Sequence, residues 1–219
     1  MKVLAAIEIM NGEVVRLTKG DQSTKKVYSK DPVQVAKKWE KDGADMLHIV
    51  DLDAAFGSAT NNLSIISDIL HAVNIRVQIG GGIRDSDTFE RIAKMGFSRI
   101  VVGTMAYRNE NELRSLSKNY SDKIVISLDE INGKVMIEGW KSSSDYTIDD
   151  AITKFNKFGI CNFLLTSIIK DGTLSGPDIA TLNSINTNRR SKIIASGGIS
   201  NLLDVLRVRS TRCDGLILG

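Results

Sequence analysis

Histidine and cysteine are scarce in this chain, with two of each, and both shortages remove functions. Two histidines are too few for an ordinary zinc centre. The cysteines, Cys161 and Cys213, lie in apolar runs (ICNFLL and RCDGLIL) without C-x-x-C spacing. That argues against a disulfide or metal site and for small buried thiols in a reducing compartment. Charge of one sign is also lacking. The net charge is +3, and the densest basic clusters, Lys25–Lys26 and Arg189–Arg190, are short. They read as solvated surface and not as a nucleic-acid stripe, so positive charge is used locally, at a pocket. No apolar run reaches membrane length, and MKVLAAIEIMNG turns polar too soon for a signal peptide. No membrane partner is expected, and the expected location is cytoplasmic.

What is present is ordinary globular material. Hydrophobic residues make up 42% and charged residues 25% of 219 residues, enough to bury a sizeable core. Short β-rich runs recur: KVLAAIEI, MLHIVDL, IRVQIG, RIVVG, KIVISLD, NFLLTSI, KIIASG and GLILG. Each is apolar over most of its length, as expected of strands buried on both faces. Helix-like stretches lie between them. DPVQVAKKWEKDGA offers Asp31 as N-cap, Pro32 at the first helical position and Gly43 near the stop. DSDTFERIAKMGF and TIDDAITKFNKFGI repeat that grammar, with Asp85 and Thr147 as caps. Strand followed by helix, eight times, predicts an α/β fold with a parallel sheet closed as a (β/α)8 TIM barrel.

The pattern also repeats over a longer range. Gly43 and Gly159, Gly81 and Gly197, and Gly103 and Gly219 are each 116 residues apart. IEIMNGEVV and LDEINGKVM place Glu8 and Asp129 121 apart, so about five extra residues entered one half between its first two strands. The chain is read as a single domain, 1–219, made of two duplicated half-barrels, about 1–119 and 120–219.

In such a barrel the C-terminal ends of the strands carry the active site. Glu8 and Asp129 end strands one and five, which face each other, so two carboxyls can divide proton donation and abstraction. Alternatively, each acid caps a loop or pairs with a lysine. GGGIR (80–84), SGGIS (196–200), VVGT (101–104) and LILG (216–219) end strands three, seven, four and eight. Glycine admits close anion approach, and a following helix N-terminus favours negative charge. Duplication then predicts two phosphate cradles, at Gly81, Gly82, Arg84, Gly103 and Thr104 and at Gly197, Gly198 and Gly219; tight βα turns are the plainer reading. LLTSIIKDGTLSGPD (164–178) brings Thr166, Ser167, Asp171, Gly172 and Thr173 to the mouth. Arg16 joins the candidate binding residues. His48 is a minor candidate, since a lone histidine on an apolar strand is more often a core residue. Trp140 either stacks on a planar heterocycle or covers the rim.

VDLDAAF (50–56), QIGGGIR (78–84), SLDEINGKV (127–135), the Gly139–Trp140 pair and KDGTLSGPD (170–178) together resemble one family over the whole chain. It is the ProFAR isomerase family of histidine biosynthesis, the phosphoribosylformimino-5-aminoimidazole carboxamide ribotide isomerases. The resemblance implies a substrate with phosphate at both ends and an Amadori rearrangement of aminoaldose to aminoketose, without cofactor or metal, by an expected monomer. It places the base at residue 8 and the acid at Asp129, with Asp171 as rival and Thr166 assisting. The sister cyclase subunit of imidazole glycerol phosphate synthase, which needs ammonia and a glutaminase partner, shares the barrel and LLTS but reads CLD at the first strand and lacks VDLDAAF.

The sequence departs from that pattern in two places. The family's AIDL is AIEI here, so the expected aspartate is Glu8. A displacement of about 1 Å or more in a carboxyl can cost on the order of 100-fold in rate, which keeps a disabled phosphate-binding barrel as the alternative. The chain stops at Gly219, where the family continues through a loop and a closing helix; truncation and an exposed apolar patch are expected. Bifunctional relatives that also isomerise phosphoribosylanthranilate carry arginine before the Gly-Trp pair, where this chain has Glu138, so negligible turnover of that substrate is expected.

Overall fold

The structure, a computed structural model, describes residues 1–185 and 190–219. Arg189 of the basic pair lies outside the described residues. The chain opens with β1 (Lys2–Met10), β2 (Glu13–Thr18), β3 (Asp21–Ser29) and α1 (Pro32–Lys41). Then come β4 (Met46–Asp51), α2 (Leu52–Phe56), α3 (Leu63–Ala72), β5 (Arg76–Gly80), α4 (Ser86–Lys94), β6 (Arg99–Val102), α5 (Thr104–Arg108) and α6 (Glu110–Tyr120). The pattern restarts with β7 (Ile124–Ile131), β8 (Lys134–Ile137), β9 (Ser142–Thr147) and α7 (Ile148–Asn156). It ends with β10 (Asn162–Ser167), α8 (Ile179–Ser184), β11 (Lys192–Ser196), α9 (Leu202–Arg209) and β12 (Gly215–Leu218).

Eight strands pair in parallel in the order β1, β4, β5, β6, β7, β10, β11, β12, and β12 returns to β1. The sheet closes into the predicted barrel, with all eight anticipated runs as its staves. The anticipated caps are also in place. The Asp31, Asp85 and Thr147 side chains accept from the N–H groups of Gln34, Thr88 and Asp150, and Thr147 with Asp150 completes a capping box.

Two antiparallel hairpins were not anticipated. β2 pairs with β1 and β3, and β8 with β7 and β9, so each half inserts a hairpin before its first helix. Asn11–Gly12 and Asn132–Gly133 turn them, with φ of 53° and 75° in one and 51° and 79° in the other. Asn-Gly accepts that left-handed pair, which matches strand twist. The five extra residues sit in the first hairpin. Asp31 follows Gly12 by 19 positions, whereas Thr147 follows Gly133 by 14.

Alternation along the staves decides what faces inward. Leu4, Met46, Val101, Val125, Leu164, Ile194 and Ile217 form one buried apolar cluster that plugs the barrel interior. Two residues further along, the same strand faces carry His48, Ser127, Thr166 and Ser196, and beyond those Glu8 and Asp129. The interior therefore grades from apolar to polar towards the mouth. A second, larger cluster, including Ile7, Ile49, Phe89, Phe97, Phe155 and Phe163, packs staves against helices. An exposed apolar patch is present on α9, at Leu202, Leu203 and Leu206. Cys161 and Cys213 are free thiols, half-buried where full burial was expected. Among the described residues no helix is long and apolar enough to cross a membrane.

Candidate active site

Glu8 on β1 and Asp129 on β7 stand four staves apart in the closed order, on opposite sides of the mouth. Thr166 is level with Asp129 on the next stave, in direct register. Asp171 comes from the turn after β10, and its backbone carbonyl accepts from the Lys19 N–H at 3.2 Å, tying this turn to the first hairpin. Gly172 packs beside it on the Leu17–Thr18 backbone.

Three carboxyls and one guanidinium share this space. Arg16 Nη1 donates to Glu8 Oε1 at 2.6 Å. Burial lifts the Glu8 carboxyl above its ordinary range, Arg16 opposes this, and nearby Asp171 pushes it further up. Asp171 is raised by burial and by Asp129, again against Arg16. Asp129 is raised by burial alone, while the Trp140 indole N–H and the Ser127 and Thr166 hydroxyls hold it down. Ser127 Oγ donates to Asp129 Oδ1 at 2.9 Å. Asp171 thus feels the charge of both other acids, and only Glu8 has a guanidinium on its carboxylate. This arrangement suits a base whose carboxylate is paired with Arg16 and an acid whose protonated form is favoured by burial.

The other anticipated residues fall into three groups. His48 is buried one layer below the mouth, where Gln78 Nε2 lies 3.0 Å from its Nδ1; burial lowers its pKa to about 4, so it is neutral at pH 7. Gly81, Gly82, Gly197 and Gly198 end β5 and β11 with positive φ. An added Cβ at Gly82 would lie 2.5 Å from the Ala54 Cβ, and at Gly197 2.8 Å from the Ser167 carbonyl, so glycine is required by the packing of these turns. Gly103, Thr104 and Gly219 follow β6 and β12. Arg16 also lies against Gly219, so one guanidinium touches both the base and the end of the eighth stave. Arg84 turns its guanidinium to the Ala54 and Ala55 carbonyls at 2.9 and 3.1 Å, bracing α2. Thr173 Oγ1 donates to the Lys170 carbonyl at 2.7 Å, closing its own turn. Trp140 lies over the first hairpin, its ring 2.9 Å from where a Cβ on Gly20 would be.

A family profile described as histidine biosynthesis protein matches residues 2–219. The chain belongs to that family. The histidine biosynthesis relatives carry a narrower name, 1-(5-phosphoribosyl)-5-((5-phosphoribosylamino)methylideneamino) imidazole-4-carboxamide isomerase. The protein of that name from Nitrosopumilus maritimus is 46% identical over 220 residues, covering 100% of this chain and 92% of the relative. Those from Clostridium botulinum and Halothermothrix orenii are 39% and 40% identical, covering all of this chain and 90% and 93% of the relatives.

Within this histidine biosynthesis chain, the VDLDAAF segment is structural. Asp51 caps α2 through the Ala54 N–H and accepts from Asn62 Nδ2 at 2.7 Å and the Asn62 N–H at 2.9 Å. Asp53 accepts from Asn62 Nδ2 at 2.8 Å and the Asn11 N–H at 2.6 Å. Asn62 Oδ1 accepts from the Gly12 N–H at 2.9 Å. Buried Asn62 therefore pins the hairpin behind Glu8. Sequence reasoning missed it, and its only local sign was a polar residue just before the α3 apolar run. Ser127 was missed as well, although its spacing of two from Asp129 puts both on one face of β7.

Proposed function

We propose that this chain isomerises ProFAR to its aminoketose product by a cofactor-free Amadori rearrangement. The observation that carries the reading is the convergence of Glu8, Asp129 and Asp171 on one mouth, with Arg16 bonded to Glu8 alone. Protonated Asp129 donates to the ribose ring oxygen, the ring opens, and a Schiff base forms. Glu8 then removes the proton from C2′, and the enolamine tautomerises to the ketone. Asp171, coupled to both acids, takes the donor role if Asp129 does not. Thr166 hydrogen-bonds at the reacting centre. The terminal phosphates are assigned to the turns after β5 and β6 and after β11 and β12, which lie on opposite sides of the same barrel end and match a substrate charged at both ends. Trp140 covers the heterocycle between them. The protein acts as a cytoplasmic monomer, and light scattering tests that oligomeric state.

Ultraviolet-monitored conversion of ProFAR, coupled to a cyclase that consumes the product, is the direct test. Turnover should persist with a metal chelator present. Glu8→Asp should lose on the order of 10- to 100-fold in kcat/KM, because the carboxylate retreats from both Arg16 and the mouth. A gain in that variant would show that Glu8 is not a working base in this setting.

A further inference from the structure

The β8–β9 turn holds an unusual backbone. Glu138, Gly139 and Trp140 have φ of 58°, 65° and 70°, three left-handed residues in succession, two of them not glycine. A bulky residue at positive φ is strained and needs outside support. The support converges on Glu138. Its backbone N–H donates to Thr104 Oγ1 at 2.8 Å. Arg108 Nη2 donates to Glu138 Oε1 at 3.0 Å, and Ser142 Oγ donates to Glu138 Oε2 at 2.6 Å. Thr104 and Arg108 are the two ends of α5, so the turn is fastened to the neighbouring βα unit at both. An exposed ion pair contributes little to global stability, which leaves local geometry as its effect. That geometry delivers Trp140, which rests on Gly20 of the opposite hairpin and whose indole N–H meets Asp129.

We propose that Glu138 is a positioning residue: held by Thr104, Arg108 and Ser142, it fixes the left-handed turn that carries the Trp140 indole onto Asp129. Its bearing on rate rests on Asp129 being the proton donor. The titratable groups facing Asp129 from other elements are Asp171, from the turn after β10, and Tyr107 of α5, and both side chains are retained in the Glu138 and Arg108 variants. Losing the indole removes one of three neighbouring side-chain donors that favour ionised Asp129, which pushes its pKa further up.

Glu138→Gly keeps the left-handed backbone and its N–H bond to Thr104 without strain, and removes the side-chain holds of Arg108 and Ser142. Arg108→Ala removes one arm from the other side, and Glu138→Gln keeps the acceptor for Arg108. The chain has two tryptophans, Trp39 and Trp140, so Trp39→Phe assigns the indole signals in a nitrogen-15 spectrum. Glu138→Gly and Arg108→Ala are expected to move the Trp140 indole signal, raise the Asp129 carboxyl titration followed by carbon-13, and lower kcat/KM on the order of tenfold. The high-pH limb of the rate profile should shift upward, and Glu138→Gln should restore most of each effect. An unmoved indole signal and Asp129 titration in both variants would overturn the proposal, whatever the rate does. A moved signal with an unmoved rate limb supports the positioning role and removes Asp129 as the donor.

Discussion

Asp129 is a carboxyl whose protonation is decided by two opposed influences, burial on one side and three neutral hydrogen-bond donors on the other. Burial prevails and the folded pKa lies above the unfolded value. A group raised in this way contributes its full stability below the unfolded carboxyl range, about 3.9, and loses it as pH rises through the folded pKa. Ionisation of the folded side chain as pH rises therefore works against folding. Asparagine keeps the shape and an acceptor for Ser127 but cannot ionise. Asp129→Asn should melt higher than the parent above neutral pH, with the advantage shrinking as pH falls towards 4. Its activity should fall by on the order of 100- to 10,000-fold, the usual worth of a positioned acid. Thermal scans from pH 4 to 8 check the first half; equal shifts at every pH would mean that ionisation of Asp129 has no part in the effect.

At the scale of elements, the first hairpin is the piece that positions Glu8 and Arg16, and Asn62 holds its turn. Asn62→Ala removes the Nδ2 donor from the buried Asp51 and Asp53 carboxylates and the acceptor from the Gly12 N–H, while its own backbone N–H stays on Asp51. Unsatisfied buried groups of this kind cost roughly 2–3 kcal/mol, to be read as a lower urea midpoint. Activity should fall by more than the folded fraction accounts for, because the turn behind the base loosens. This element also marks the limit of what the sequence revealed. The staves were legible because each is a local apolar run, and the caps because Asp31, Asp85 and Thr147 act within four residues of themselves. The hairpins were not, because β3 (DQSTKKVYS) is exposed along nearly all its length and shows no hydrophobic alternation. The two Asn-Gly pairs were the available sign. Glu8 and Asp129 stood out through the repeat. Asn62 and the holds of Thr104 and Arg108 on Glu138 depend on partners chosen by tertiary structure, 50 residues away for the Gly12 contact and 34 and 30 for those on Glu138, and local spacing is silent about those.

For the whole molecule, the repeat raises the question of whether the halves retain any independence. Each half supplies one carboxyl from its first stave, one hairpin and one pair of glycine turns, so a site is complete only when both are present. The seams are continuous sheet. β6 pairs with β7 through Ile100–Ile124, Val101–Val125 and Val102–Ile126, and β12 pairs with β1 through four residues. Both apolar clusters cross these seams; the interior one takes Leu4, Met46 and Val101 from the first half and Val125, Leu164, Ile194 and Ile217 from the second. Separating the halves would expose half of that plug and two rows of strand edge, each unfavourable in water. Unfolding should therefore be one cooperative transition, with calorimetric and van't Hoff enthalpies in agreement and fluorescence coincident with circular dichroism. Trp39 reports from the first half, and Trp140, carried by the second and resting on Gly20 of the first, reports their contact, so single-tryptophan variants compare the two. Two resolved midpoints would show that the half-barrels at about 1–119 and 120–219 remain folding units in their own right, and that the seams bind them more weakly than their pairing implies.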